Sequence, residues 1–137
     1  MNRNFSILLA FLALIGAMLA CSGGQLSLEN PRMAHDEPGT QVTTTYSPND
    51  IFYVVADLKN ATKGTVVEAK WYAVNADGVT PGPISTDQPS VLTIQDDYFT
   101  GYVSFNLSSN TQWPSGEYKA ELYLNNALAH SVNFTVQ

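Results

Sequence analysis

The chain has 137 residues, of which 45% are hydrophobic and 11% aromatic, and this composition is typical of a folded globular protein. Twelve acidic residues against six basic ones give a formal net charge of −6. A surface that is acidic and poor in Lys and Arg argues against binding to nucleic acid or to anionic lipid headgroups, so we expect no nucleic-acid partner. The single cysteine, Cys21, excludes a disulfide within the chain.

The first twenty residues have the pattern of an export signal. Arg3 provides a short basic start, and residues 5–20 form a nearly continuous apolar run. Such a run is long for a core helix and slightly short for a membrane span. Without residues 1–20, the 137-residue chain keeps 117 residues, with five basic and twelve acidic side chains. This length is enough for one domain and too short for two independent cores.

The end of the apolar run resembles the lipobox of bacterial lipoproteins. In Met18-Leu19-Ala20-Cys21 the small residue before the cysteine is kept, whereas Met18 replaces the usual Leu and Leu19 the usual small residue. The resemblance implies cleavage before Cys21 and transfer of a diacylglyceryl group to its thiol. More than one acyl chain gives stable anchoring to a membrane. The alternative is an uncleaved membrane helix with an incidental cysteine.

This resemblance divides the chain into three parts. Residues 1–20 are expected to be a lipoprotein signal peptide, and residues 21–25 the lipidated cysteine with a flexible polar tether. Residues 26–137 are expected to form the domain. That domain is then held outside the cytoplasm by lipid, on the cell membrane or the outer membrane.

From residue 26 onward the sequence predicts strands. No stretch of a dozen residues spaces its apolar positions as a helix does, whereas several stretches alternate with a period of two. Pro31 indicates that the first strand lies at a sheet edge. Residues 76–90, which contain three prolines, predict the longest loop, and Asn125-Asn126 predicts a two-residue hairpin turn. The predicted strands cover residues 26–33, 41–46, 51–59, 65–75, 91–94, 98–107, 117–124 and 127–136.

About seven short antiparallel strands with regular turns are typical of a β-sandwich. Trp71 on the third of these strands, with the possible short strand at 41–46 not counted, and Tyr118 after the corner at residues 113–116 narrow this to the immunoglobulin-like class. Residues 113–125, together with residues 132–136 of the final strand, resemble the last hairpin of immunoglobulin-like modules in bacterial envelope proteins. The resemblance implies that Trp71 lies in the core and that the Tyr118 hydroxyl binds backbone in residues 109–115. A jelly roll or another sandwich is the alternative.

Candidate catalytic and metal-binding residues are few. A nucleophilic triad needs a base, and the chain has two histidines, His35 and His130. His130 lies on the last predicted strand, where most histidines are structural. His35-Asp36-Glu37 is the best metal-ligand cluster, but three adjacent loop residues cannot converge on one ion without further ligands. We therefore expect no enzymatic activity, no cofactor and no metal site.

Exposed tyrosines are the feature that best suggests binding. Tyr72 and Tyr123 are expected on one outer face, and strand pairing is expected to bring Tyr53 towards Tyr102. These residues are predicted to serve a non-catalytic envelope module that binds a protein partner or belongs to an assembly. The alternative function is a carbohydrate-binding module in which the rings stack on sugars. A purely structural role, in cross-strand pairs, also remains open.

Overall fold

A computed structural model describes residues 24–137 of the chain. The predicted signal segment and the lipidation site at Cys21 lie outside these residues, and both stay predictions. Residues 24–137 form nine strands and no helix, so this part of the chain offers no helix that is long and apolar enough to span a membrane. The strands are β1 Ser27–Ala34, β2 Thr45–Tyr46, β3 Phe52–Ala61, β4 Val66–Ala76, β5 Gly82–Ile84, β6 Val91–Thr93, β7 Phe99–Leu107, β8 Gly116–Leu124 and β9 Ala127–Val136.

The nine strands form two open sheets, which confirms the prediction of an all-β fold. Sheet one has the order β1-β3-β7, and both of its ladders are antiparallel. Sheet two has the order β2-β9-β8-β4-β5, and β6 pairs with the other end of β4. The expected set of about seven antiparallel strands needs correction, because β2 runs parallel to β9.

A second correction concerns the predicted loop at residues 76–90. Its middle forms β5, in which Pro83 lies opposite Tyr72 of β4. Proline is tolerated here because β5 lies at the edge of sheet two, where one side of the strand needs no backbone donor. Gly82 has a φ of 150°, a conformation that favours glycine. The turn residues that predicted a loop are therefore compatible with a three-residue edge strand.

Aromatic side chains from both sheets form the centre of the core. The ring centroid of Phe52, in sheet one, lies 4.9 Å from that of Phe134 in sheet two. Tyr118 stacks on Phe134 at 5.6 Å, and Trp71 meets the same ring edge-on at 6.2 Å. Trp71 is only 2% exposed and lies opposite Ala120, which confirms its predicted burial. The two sheets therefore face each other across one hydrophobic cluster.

The corner before β8 is fixed by a hydrogen bond and by a glycine. The Tyr118 hydroxyl donates to the carbonyl oxygen of Pro114 at 2.7 Å, as the sequence predicted. Gly116 has a φ of 148°, and a Cβ there would lie 2.3 Å from the carbonyl oxygen of Asn75. Only glycine fits so close to a neighbouring backbone. These constraints set where β8 begins and which of its residues face the core.

Replacement of Tyr118 by Phe tests the hydrogen bond at this corner. We expect Tyr118→Phe to lower the free energy of unfolding by about 1–3 kcal/mol, because it leaves the carbonyl of Pro114 without its donor. Urea unfolding of the soluble domain measures the change. The matched control is Tyr102→Phe, since this tyrosine is 48% exposed and its hydroxyl has no hydrogen-bond partner within residues 24–137. Equal losses in the two variants would contradict the assignment.

Candidate functional site

Tyr72 and Tyr123 lie on the same outer face of sheet two. They belong to the adjacent strands β4 and β8, where Tyr72 is opposite Lys119 and Tyr123 is opposite Glu68. Because side chains alternate along a strand, the neighbours of these residues point into the core while the tyrosines point away from it. Trp71, directly before Tyr72, is the clearest example. Both tyrosines are half-buried.

Tyr53 and Tyr102 also lie on paired strands, but the structure keeps them apart. Tyr53 of β3 is opposite Asn106, whereas Tyr102 of β7 is opposite Asp57. The two tyrosines are therefore four residues out of alignment, which corresponds to about 13 Å along the strand. Val55 lies between these levels and is fully buried. The four tyrosines chosen from sequence do not form one surface.

Glu121 is the residue that connects the polar groups on the outer face of sheet two. It is only 9% exposed, and one carboxylate oxygen accepts a hydrogen bond from the Tyr123 hydroxyl at 2.6 Å. The other oxygen accepts from the Lys119 ammonium at 2.9 Å. These two donors, Tyr123 first, lower the pKa of Glu121. The same hydrogen bond raises the pKa of Tyr123, because loss of its proton would place two negative charges in contact.

The lysines of this face lie over the tyrosine rings. The Lys70 ammonium is 4.5 Å from the ring centroid of Tyr123, and the Lys119 ammonium is 4.8 Å from that of Tyr72. Such cation–π contacts contribute about 0.5–1 kcal/mol at exposed sites. We refer to Lys70, Tyr72, Lys119, Glu121 and Tyr123 as the tyrosine–lysine cluster. Its members hold one another in place, so a binding partner would meet side chains that are already ordered.

Two grooves border the tyrosine–lysine cluster. One, of about 310 Å³, follows the edge of β4 between β5 and β6, and Tyr72 and Lys70 form part of its wall. The other, of about 390 Å³, lies at the far end of the same face, where Val74, Glu117 and Asn133 contribute to its lining. Sheet two therefore presents a polar and aromatic surface with one groove along the edge of β4 and another where β8 begins.

The histidines lie outside this surface. His35 Nδ1 is 3.9 Å from a carboxylate oxygen of Asp50, and the Asp36 carboxylate accepts hydrogen bonds from the backbone of its own loop. His130 Nε2 is 2.6 Å from the carbonyl oxygen of Leu28, which links β9 to β1. Within residues 24–137, no three His, Cys, Asp or Glu side chains lie close enough together to hold a metal ion.

Sequence reasoning identified the tyrosines but missed Lys70, Lys119 and Glu121. A local signal existed, because Lys119, Glu121 and Tyr123 alternate along β8 and Lys70 and Tyr72 do so along β4. The cluster forms only because the register places Lys70 opposite Glu121. Alternation within one strand does not determine that register.

The fold and the site define a small two-sheet β domain with an ordered polar and aromatic outer face. No family model and no curated protein matches the chain. The fold is similar to part of the Pseudomonas fluorescens alkylpurine DNA glycosylase AlkC bound to DNA containing an abasic site analog, with a TM-score of 0.53 and 10% identity over 87% of this chain and 32% of that one. It is also similar to part of a Listeria innocua β-glucosidase in complex with gluconolactone, with a TM-score of 0.51 and 12% identity over 82% of this chain and 16% of that one.

This chain spans a third or less of the length of either structure that it matches. At identities of 10% and 12% the likeness shows the fold alone. Whatever larger proteins do with a domain of this fold depends on the site that each of them carries.

The Glu121 carboxylate should stabilise the folded protein by an amount that depends on pH. Its pKa in the folded protein lies below the usual 4.5, so its contribution is present above that pH and is lost as the pH falls through the lowered pKa. We expect Glu121→Gln to cost roughly 1–2 kcal/mol at pH 7 and much less at pH 3, measured by urea unfolding at both pH values.

The matched control is Glu117→Gln on the same strand, because the Glu117 carboxylate has no hydrogen-bond partner in the part of the chain that the structure describes. This variant should stay within about 0.5 kcal/mol of the parent protein at both pH values. A cost for Glu121→Gln that is the same at pH 7 and pH 3 would show that the carboxylate charge is not what stabilises the cluster.

Proposed function

We propose that this chain is a membrane-anchored extracytoplasmic lipoprotein whose domain is a non-catalytic protein-binding or assembly module of the cell envelope. The observation that carries the proposal is the tyrosine–lysine cluster with the two grooves that border it. Tyrosine is enriched among residues that dominate protein interfaces, where half-buried rings supply contact area. Side chains that are ordered before binding lose less conformational entropy when a partner docks.

We also infer that the domain belongs to the immunoglobulin-like class. Two features support this inference. Sheet one pairs the first, third and seventh strands while sheet two pairs β9, β8 and β4, and this matches the division of strands between the two sheets of that fold. The hydrogen bond from Tyr118 to Pro114 has the position of a tyrosine corner. One departure is that β6 pairs with β4 and not with β7.

The lipid anchor rests on the resemblance at residues 18–21. The small number of residues between Cys21 and the first strand is consistent with a lipid anchor, since β1 begins at Ser27. Six residues span at most about 20 Å when fully extended. A domain on so short a tether stays next to the membrane, which suits a partner that is itself part of the envelope.

Replacement of the lipid acceptor tests the anchor. Cys21→Ser removes the thiol, so we expect loss of lipid attachment and accumulation of the unprocessed precursor. Incorporation of radiolabelled palmitate, followed by separation on a denaturing gel, measures the loss. Labelling should be restricted to the parent chain, and equal labelling of both chains would overturn the assignment of residues 18–21 as a lipobox.

Site-specific crosslinking in intact cells tests the protein-binding face. A photoreactive phenylalanine analogue at Asn133, an exposed residue opposite Lys119, should form a covalent adduct with a second protein. Mass spectrometry identifies that protein. The matched control carries the analogue at Lys63, which is exposed in the turn between β3 and β4.

We expect Tyr72→Ala to abolish the Asn133 adduct, because it removes a ring from this face and the contact of that ring with the Lys119 ammonium. Adducts of equal yield from Asn133 and Lys63 would argue against a specific face. Recovery of no adduct from Asn133 in repeated trials would contradict the proposed function of this surface.

A carbohydrate-binding module is the second candidate, and the groove along β4 is the observation that favours it. Tyr72 contributes an aromatic ring to that groove, and Ser85, Thr86 and Ser90 contribute hydroxyl groups. Against this function, the Lys119 ammonium already covers one face of the Tyr72 ring. A glycan array with the soluble domain distinguishes the two candidates, because only sugar binding gives hits that are lost in Tyr72→Ala.

A further inference from the structure

The edges of the two sheets differ in how well they are protected against further strand pairing. In sheet one, β1 contains Pro31 and a bulge between Glu29 and Arg32, and Asn30 has a φ of 50°. In sheet two, β2 has two residues, and β5 and β6 have three each. Short strands, prolines and bulges are the devices by which proteins prevent edge-to-edge association.

The other edge of sheet one, β7, has none of these devices. It is nine residues long and contains no proline and no charged residue, and among the strands that the structure describes it pairs only with β3. Its sequence, Phe-Thr-Gly-Tyr-Val-Ser-Phe-Asn-Leu, is rich in aromatic and β-branched residues, which favour strands. Within residues 24–137, its backbone makes no hydrogen bond to backbone outside the ladder with β3. The outward side of β7 is therefore available to another strand.

We propose that β7 pairs antiparallel with β7 of a second copy of this chain and joins the two three-stranded sheets into one of six strands. The register with the longest overlap places the two-fold axis at Val103, the middle residue of β7. All nine residues are then paired, and core-facing residues lie opposite core-facing residues. In this register Tyr102 lies opposite Ser104 of the second copy, and Gly101 lies opposite Phe105.

Self-pairing fits the charges at and beside β7. The strand itself is uncharged, so no like charges meet within it. Asp96 and Asp97 precede β7, and in the proposed register they lie beyond the strand opposite Asn110 and Ser109 of the second copy. An acidic chain can therefore associate along this edge without bringing these carboxylates together. A pairing of this kind is isologous and closes after two copies.

Disulfide trapping in intact cells tests the proposed register. Two full-length chains with different epitope tags are produced together, one with Tyr102→Cys and the other with Ser104→Cys. Tyr102 is exposed, whereas the Ser104 hydroxyl is buried and has no hydrogen-bond partner in the described chain, so the exchange at Ser104 breaks no hydrogen bond. Directly opposed residues of an antiparallel pair have Cα atoms about 4.5–5.5 Å apart. This lies within the range of about 4.4–6.8 Å that a disulfide requires.

The matched control pairs Tyr102→Cys with Asn106→Cys, which is two residues out of register. This adds about 7 Å along the strand and takes the cysteines out of range. Chains without an added cysteine show how much dimer arises from Cys21. We expect a mixed-tag dimer on a non-reducing gel from the first pair, and no more than the background from the control pair.

Any one of three results would overturn the proposal. These are equal amounts of dimer from both cysteine pairs, no dimer above the background from either pair, and a disulfide adduct only with a different protein. A second measurement avoids any effect of the substitutions on folding. In the unsubstituted full-length chain in detergent, hydrogen exchange of β7 amides should slow as protein concentration rises, whereas exchange in β1 should not change. Exchange in β7 that is independent of concentration would contradict self-pairing.

Discussion

The contact between Phe52 and Phe134 joins the two sheets, and the rest of the structure depends on it. The two ring centroids are 4.9 Å apart, and Tyr118 and Trp71 pack against Phe134 from sheet two. The chain has one cysteine and therefore no internal disulfide, so burial of apolar surface must hold the domain together. Aromatic pairs contribute beyond their buried area, and a cluster of them at the centre fixes how the sheets face each other.

Once the core side of sheet two is fixed, the alternation of the strands determines its outer side. Residues between the core positions of β4 and β8 must point outward, and these include all five members of the tyrosine–lysine cluster. Glu121 is largely buried there, and it is stabilised as a carboxylate because Tyr123 and Lys119 donate hydrogen bonds to it. The outer face is thus ordered by its own interactions, although it contributes little to the hydrophobic core.

Much of the fold could be predicted from the sequence, because strand alternation and turn residues act locally. The hairpin at Asn125 and Asn126, both with positive φ, and the bond of Tyr118 to the preceding corner follow from such signals. Register is not local, and this is why the pairing of Lys70 with Glu121 was missed and why Tyr53 and Tyr102 lie further apart than expected. Pairing at edges, as in β2 and β5, depends on neighbours that the sequence pattern does not show.

The central claim is which residues of sheet two face the core and which face outward. The adjacent residues Trp71 and Tyr72 test it most directly, because one faces each way. Urea unfolding of Trp71→Ala and Tyr72→Ala compares a residue that faces the core with its neighbour that faces outward. Trp71→Ala should lower the free energy of unfolding by about 3–5 kcal/mol, because it leaves a cavity between the sheets. Tyr72→Ala should cost about 1 kcal/mol, the value of a cross-strand and cation–π contact. Equal losses in the two variants would contradict the account.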